Sequence, residues 1–531
     1  MTLEKKFFSI DSLILIGIAL TGGIALFIVT SPWGISSFPD SANYIGGARN
    51  ILKGLGFRHF SSLEPLTQWP PWYSFSLAAV GLLGLDPMEG ARILHVVLFS
   101  LNILLVGVIL RTITQSKACA LIGAWLMMTS FTLFRIHGIV CSEPWFILLT
   151  LGNIYCLVQY LGSGRLRLLV SAAVLTALAC LDRYVGITVI AAGAMALLLL
   201  HSKKLSCRIY DAFLYLFLSG VPLGLWLVRN RLLAEDMVNR KIQSPSFNPQ
   251  YYLEAATTFS RWILPGKFPP SLRYAVFIAF VILLITMMVA VISHIAKNDG
   301  LKAFNRDPVL RLTGALVLFM GCYLGLHFIH LTFVRASAAA NDRHFSPLYV
   351  SLWIIFLALL SRLKRPPVYH MYIKWTAILL LGVVAITSGW RLAYALPHWY
   401  KLGDQFASRA WKTSPTISAV KALPEGIFIY SNQPAVLYLL TNRTSSRLPR
   451  KYSSRRYRDA ESAQPLNKFP SRMERVKNKL ISKDGYIVYL NERQQWYHVS
   501  KKDIEKSMPL VVVRQLPDGT IYKISPGAAD G

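Results

Sequence analysis

The sequence predicts an α-helical polytopic membrane protein of about eleven spans plus interfacial helices, followed by a small C-terminal α/β domain outside the bilayer. Three observations carry that class. Of 531 residues, 54% are hydrophobic and only 15% charged, against roughly 25% charged in an average soluble domain. Apolar runs approaching the roughly 20 residues that cross about 30 Å of hydrocarbon recur from residue 11 to residue 395. Beyond residue 397 the pattern changes to short β-rich runs between helical stretches.

Taken in order, the spans are predicted at 11–31, 91–111, 118–136, 144–161, 166–181, 184–200, 210–228, 273–295, 310–334, 346–361 and 372–395. The first is read as uncleaved, because its apolar run is too long for a signal core and no A-x-A-like site follows it. Segment 72–85 is apolar but only about two-thirds of the required length, so it is expected along the outer interface as an amphipathic or re-entrant helix.

Lysine and arginine test that choice. With the N terminus inside, the inner loops hold Lys5 and Lys6; Arg111 and Lys117; Arg165 and Arg167; Lys203, Lys204 and Arg208; Lys297, Lys302, Arg306 and Arg311; and Arg362, Lys364, Arg365 and Lys374. Every short inner loop is then basic, as the positive-inside rule expects. Were 72–85 to cross, the loops at Lys203 and at Arg362 would lie outside.

The formal net charge of +30 is explained by these loops and by anionic lipid headgroups, so membrane lipids and not nucleic acid are the expected partners of the basic residues. The six cysteines fall in or beside spans. That placement argues against a disulfide framework in the tail, and neither C-x-x-C nor H-x-x-x-H spacing supports a dedicated metal cluster.

Three segments outside the spans are expected to hold the chemistry. They are a first outer loop (32–90) and a second (229–272), both within a membrane domain of residues 1–396, and a soluble domain of residues 397–531. In the last, 426–430, 485–490 and 508–513 read as strands and 404–422 as helical.

In the first loop, Asp40 precedes Tyr44, Ile45, Ala48, Ile51, Leu52 and Leu55. The spacing predicts an amphipathic helix over 41–54, closed by Gly54 and Gly56, with Asp40 as its N-cap. A carboxylate there can cap alone, or cap and react, since capping also fixes it in space. Glu143 is the second acid, with Pro144 in the first helical turn of the fourth span; it can complement the helix dipole or belong to a site.

Arg183, Arg229 and Arg343 stand at three separate outer turns. They can snorkel at the interface or hold a phosphate bidentately. Trp69, Trp72 and Tyr73 suit an interfacial belt and also the wall of a binding site. Arg447, Arg450, Lys451, Arg455, Arg456 and Arg458 read as a solvated loop, or as a contact for anionic headgroups or an acidic glycan.

These residues resemble the bacterial polytopic glycosyltransferases of the GT-C class that use polyprenyl-phosphate sugars, relatives of the protein O-mannosyltransferases and lipid A aminoarabinose transferases. The resemblance rests on Asp40-Ser41-Ala42-Asn43-Tyr44, Trp69-Pro70-Pro71-Trp72-Tyr73, Ser142-Glu143-Pro144-Trp145-Phe146, Arg183-Tyr184-Val185-Gly186, Trp226-Leu227-Val228-Arg229-Asn230 and Arg343-His344-Phe345-Ser346-Pro347. Tyr430-Ser431-Asn432 and Tyr438-Leu439-Leu440-Thr441 look like the outer tail of one bacterial subgroup. Many relatives have two adjacent acids where this chain has Asp40-Ser41, and aminoarabinose transferases have a lysine where this chain has Trp69.

What the resemblance implies is a GT-C fold and a membrane transferase of the cell envelope that modifies lipopolysaccharide or another glycan. It takes a sugar from a polyprenyl-monophosphate donor to a glycan, lipid or protein acceptor. The family places a first-loop acid at the reaction centre, and Asp40 matches it. Phosphate leaves as a stable anion, so the protein must deprotonate the acceptor and stabilise the phosphate charge. Asp40 is the expected base, assisted by Glu143; Arg183, Arg229 and Arg343 are the expected phosphate ligands; Tyr44, Trp69, Tyr73 and Tyr184 are expected at the substrate. The expected sidedness is a cytoplasmic N terminus and an extracytoplasmic tail. A divalent cation is the one cofactor that the wider class admits, although isolated acids do not define a site for it. A transporter, and a ligase or polymerase using a diphosphate carrier, are the rival readings.

Overall fold

Residues 10–234, 237–238, 249–299, 306–333, 340–363, 368–452, 464–492 and 497–525 are described by the structure, a computed structural model. Lys5, Lys6, Lys302, Lys364, Arg365, Arg455, Arg456 and Arg458 lie outside the described residues.

Apolar runs and their end signals lay out the helices in chain order. They are α1 (Ile10–Val29), α2 (Pro39–Leu52), α3 (Trp72–Gly81), α4 (Pro87–Thr114), α5 (Lys117–Thr129), α6 (Phe131–His137), α7 (Glu143–Ser163), α8 (Leu166–Asp182), α9 (Ile187–Leu200), α10 (Leu205–Ala234), α11 (Pro249–Arg261), α12 (Pro270–Asp299), α13 (Pro308–Phe333), α14 (Asp342–Arg362) and α15 (Val368–Leu402). Every predicted span falls on a helix. Among the described residues, eight helices are long and apolar enough to cross a membrane alone, and α5 with α6 makes a ninth if the bent pair is one span. α8 and α9, at 17 and 14 residues, are shorter.

The third predicted span is therefore broken, with α5 and α6 meeting at a 61° bend. Ser130 is the cause: its backbone is extended, and its hydroxyl accepts the Leu133 N–H at 3.2 Å to start a new helix. A serine that caps locally competes with continuing the helix. Segment 72–85 becomes α3, only 10 residues long, about half of a span.

The chain divides into two compact units, one of Met1–Ser31 with Thr67–Tyr400, the other of Pro32–Leu66 with Lys401–Gly531. In the first unit, close helix approach depends on small residues. A side chain on Gly22 of α1 would meet Ile103 of α4 at 2.5 Å, and one on Gly107 of α4 would collide with Leu15 of α1. α14 runs through the interior, with 89% of its apolar window buried.

The second unit differs from the division expected from sequence, because residues 32–66 cluster with the tail. Trp33 Nε1 donates to the Lys401 carbonyl at 3.2 Å, Ser36 Oγ to the Asp404 carbonyl at 3.1 Å, and the Phe406 N–H to the Ser37 carbonyl at 3.2 Å. The tail adds α16 (Arg409–Lys412), α17 (Pro415–Lys421), α18 (Pro434–Thr441), α19 (Phe469–Ser482) and α20 (Lys501–Ser507), so the helical stretch expected over 404–422 is in fact interrupted. Phe60 packs on Tyr438 of α18 with ring centroids 4.9 Å apart, and Arg49 of α2 donates to Asn442 Oδ1 at 2.9 Å.

Five strands, β1 (Ile429–Ser431), β2 (Ser446–Arg447), β3 (Tyr486–Leu490), β4 (Leu510–Leu516) and β5 (Gly519–Ile524), form one sheet in the order β2-β1-β3-β5-β4. β1 is parallel to β2 and β3, while β5 is antiparallel to β3 and β4. Asn432 locks the centre: its Nδ2 donates to the Leu490 carbonyl at 2.7 Å, and its Oδ1 accepts the Leu490 N–H at 2.9 Å. α19 covers the sheet with Met473, Val476 and Leu480 against Ile487 and Tyr489.

Candidate functional site

Three helix ends build the charged centre of the first unit. Pro144 sets the first turn of α7, where its missing N–H costs nothing, and Glu143 precedes it with 1% exposure. α8 ends at Asp182, and the chain reverses into α9 through the 3-10 turn Tyr184–Gly186. A side chain on Gly186 would stand 2.6 Å from the Cys180 backbone, so this reversal demands glycine. Arg183 is left extended at the turn. Its Nη1 lies 2.5 Å from Glu143 Oε1 and donates to Ser142 Oγ at 3.0 Å.

The third contribution comes from α14. Asn341 caps it, accepting the His344 N–H at 3.3 Å, and Arg343 Nε stands 3.0 Å from the same Glu143 oxygen. The trio thus sets one carboxylate against two guanidinium groups. The Glu143 side chain is 2% exposed, but those of Arg183 and Arg343 keep 16% and 24%, so an anion can reach the cations and not the acid. Two guanidinium groups fixed on one carboxylate and partly shielded from water can hold an anion in electrostatic terms.

A second group gathers on the Tyr184 hydroxyl, which donates to the Thr67 carbonyl at 2.6 Å. That hydroxyl accepts from Trp226 Nε1 at 3.3 Å and from Asn230 Nδ2 at 3.1 Å. Arg229 Nη1 donates to Asn230 Oδ1 at 3.0 Å, and its guanidinium lies 4.5 Å from the Trp226 ring centroid. Tyr184 therefore ties the Arg183 turn to the end of α10 that carries Arg229.

The remaining predicted residues are Asp40, Tyr44, Trp69 and Tyr73. Asp40 and Tyr44 belong to α2 in the second unit. Asp40 is not the N-cap: Phe38 occupies that position, Pro39 begins the helix, and Asp40 stands in its first turn. The cap role passes to Ser41, whose hydroxyl accepts the Phe38 N–H at 3.1 Å. Asp40 is half-buried and Tyr44 buried; Trp69 is half-buried. Tyr73 is 0% exposed, and its hydroxyl meets His95 Nε2 at 2.7 Å, so it fixes α3 from within the protein and offers no surface to a substrate.

Sequence reasoning missed several residues. His95 Nδ1 bonds to the His137 carbonyl at 2.9 Å, and Asn102 Nδ2 reaches both His137 Nε2 at 3.1 Å and the Pro144 carbonyl at 3.0 Å. His137 Nδ1 in turn meets the Leu133 carbonyl at 2.8 Å. With both Nδ1 atoms donating to carbonyls, each ring is held as the Nδ1–H tautomer. No short spacing links His95 or Asn102 to His137 or Pro144 in sequence. Asp182 was legible only as a neighbour of Arg183, yet it is 1% exposed, and neither of its carboxylate oxygens has a hydrogen bond among the described residues. Among those residues no three His, Cys, Asp or Glu side chains converge in a way that would hold a metal ion.

Comparisons with known proteins agree with this architecture. The model of the family described as dolichyl-phosphate-mannose-protein mannosyltransferase matches residues 60–235. That stretch contains Glu143, Arg183, Tyr184 and Arg229 but neither Asp40 nor Arg343. The crystal structure of ArnT from Cupriavidus metallidurans bound to undecaprenyl phosphate is similar, with a TM-score of 0.60 at 11% identity over 97% of this chain and 98% of that one. The apo Archaeoglobus fulgidus oligosaccharyltransferase gives 0.53 at 13% identity over 99% of this chain and 75% of that one. No curated protein matches the chain. At such identities the likeness is one of fold. The chain accordingly has the fold of the GT-C glycosyltransferases, and residues 60–235 are similar to the model of the mannosyltransferase family.

Proposed function

We propose that the protein is a multi-pass membrane glycosyltransferase that moves a sugar from a polyprenyl-monophosphate donor to an acceptor at the extracytoplasmic face. The observation that carries this reading is Glu143 buried between Arg183 and Arg343, two guanidinium groups held in fixed orientation with accessible edges. Arginine pairs are suited to phosphate, which they bind bidentately. Glu143 then acts as the counter-ion that orients the arginines, and Arg229, held by Trp226 and Asn230, is a third phosphate ligand.

Asp40 is the base. The acceptor hydroxyl or amine attacks C1 from the side opposite the phosphate, the C1–O bond breaks with its electron pair leaving on the phosphate oxygen, and the acceptor proton passes to the Asp40 carboxylate. The anomeric centre inverts. Trp69 is the aromatic residue assigned to the sugar or prenyl chain, whereas Tyr44, Tyr73 and Tyr184 hold their own elements. The N terminus is cytoplasmic and the tail extracytoplasmic, as the lysine and arginine distribution favours.

The test uses liposomes containing wild type or Asp40→Asn and a panel of radiolabelled polyprenyl-monophosphate sugars, with label released from the lipid as the readout. Release by wild type alone, with one sugar, is expected. Equal release by Asp40→Asn removes that residue from the mechanism. No release from any monophosphate donor by folded protein moves the reading to a diphosphate-carrier ligase or a transporter.

A further inference from the structure

At the opposite end of α7 a second charged group gathers, about 26 Å along the helix from Glu143 at 1.5 Å per residue. The loop between α9 and α10, the first turns of α10 and the start of α13 meet there. Lys203 Nζ donates to the Tyr160 hydroxyl at 2.9 Å and pairs with Asp211 at 3.1 Å. Arg208 folds back on the loop, donating from Nε to the Lys203 carbonyl at 2.7 Å and from Nη1 to the Leu198 carbonyl at 3.1 Å. Arg311 Nη2 donates to the Arg306 carbonyl at 2.5 Å, and its guanidinium lies so close to Gly162 that any side chain there would collide with it. Arg362 pairs with Asp307 at 2.6 Å.

The two carboxylates of this group, Asp211 and Asp307, are therefore already engaged by Lys203 and Arg362. Arg208 and Arg311 use donors on main-chain carbonyls, which satisfy hydrogen bonds without cancelling charge. Lys203, Arg208 and Arg311 are each half-buried, so the cations are partly shielded from solvent and still reachable from it.

A second observation is independent of the charge. His201 is 4% exposed, and its Nδ1 accepts the Lys203 N–H at 3.3 Å, so the ring hydrogen sits on Nε2. That Nε2–H has no acceptor among the described residues. Burial, and next the charge of Lys203, hold its pKa below the ordinary histidine value. A buried donor without an acceptor is uncommon and costs about 1–3 kcal/mol. One acidic oxygen-rich group would satisfy it and the surplus positive charge together.

We propose that this cluster binds a phosphate group, with His201 Nε2, Arg311 and Lys203 as its donors. The two sources that fit are the headgroup of an anionic phospholipid, which basic pockets between spans can hold, and soluble phosphate. The site is separate from the reaction at the other end of α7 and stands whatever that reaction is.

Binding to purified, delipidated full-length protein is measured by thermal shift with phosphatidylglycerol, phosphatidylcholine or inorganic phosphate. Stabilisation by phosphatidylglycerol but not by phosphatidylcholine is expected, and Arg311→Gln and Lys203→Gln should each weaken it about tenfold, the loss of one charge-assisted hydrogen bond. Full stabilisation by inorganic phosphate, with nothing added by phosphatidylglycerol, keeps the site and assigns it to the soluble ion. Equal response to both lipids with none to phosphate, or unchanged affinity in both variants, overturns it. Should the variants misfold, native mass spectrometry of wild type decides: selective retention of phosphatidylglycerol or phosphate supports the site, and its absence removes it.

Discussion

Glu143 holds two arginines, and that single carboxylate is the residue on which the charged centre depends. Removing one partner from a buried ion pair costs about 3–5 kcal/mol, because the other charge is left uncompensated. Glu143→Gln should therefore lower the thermal midpoint of the detergent-solubilised protein clearly. The cost should shrink in the Glu143→Gln/Arg183→Ala double variant, with a coupling of roughly 0.5–3 kcal/mol as contacting residues show; strict additivity would mean that the pair is not energetically coupled. Asn230 acts differently. It is 0% exposed, and its amide joins Tyr184, Arg229 and the Met237 carbonyl. Under the proposed reaction, Asn230→Leu should raise donor KM about tenfold, one charge-assisted hydrogen bond, while kcat changes little. An unchanged KM would detach Asn230 from donor binding.

Individual elements show what sequence patterns reveal and where they stop. The spans were legible because apolar length is a one-dimensional signal, and so was the α7 start, where Pro144 marks the first turn. The break at Ser130 was not, since one serine in a long apolar run reads as tolerated until its hydroxyl is seen to cap α6. β2 and β5 were missed for different reasons: β2 has two residues, and β5 is a short run of six that starts directly after the tight turn at Pro517-Asp518. In the centre, Glu143, Arg183 and Arg343 were each visible as residues at outer turns, but their shared contact joins positions far apart in the chain. The buried histidines had no local signature at all.

The tail sheet and its loops also titrate. His498 is pushed down to about 4, first by burial and then by Arg447 and Arg450. Its folded pKa lies below the unfolded value of about 6.5, so protonation favours unfolding. Its burial costs nothing above about pH 6.5 and destabilises progressively as pH falls towards 4. Amide exchange in the tail, corrected for intrinsic rates, should accelerate between pH 7 and pH 5, and His498→Gln should flatten that dependence; an identical slope in the variant would locate the titrating group elsewhere. Asn432→Ala breaks both bonds to Leu490 and should speed exchange of the Leu490 amide at any pH.

For the whole molecule, the proposed orientation makes a prediction that native residues can report. Of the six cysteines, Cys119, Cys141 and Cys180 are buried, Cys156 and Cys322 are partly buried, and Cys207 is exposed in the first turns of α10. A membrane-impermeant maleimide should label Cys207 in inverted vesicles and leave it unmodified in right-side-out ones. The opposite pattern would reverse the orientation, and with it the face proposed for the reaction.

The packing of residues 32–66 with residues 401 and beyond also sets when the second unit can assemble during synthesis. Asp40 leaves the ribosome early, but the chain that encloses its segment is made last. At about 5–20 residues per second, the interval between Asp40 and Lys401 is roughly 20–70 seconds. All the intervening helices can enter the membrane in that time while the first-loop segment waits without its neighbours. A nascent or prematurely terminated chain would carry a full set of spans and an unassembled Asp40 segment, so under the proposed reaction transfer would begin only after translation ends.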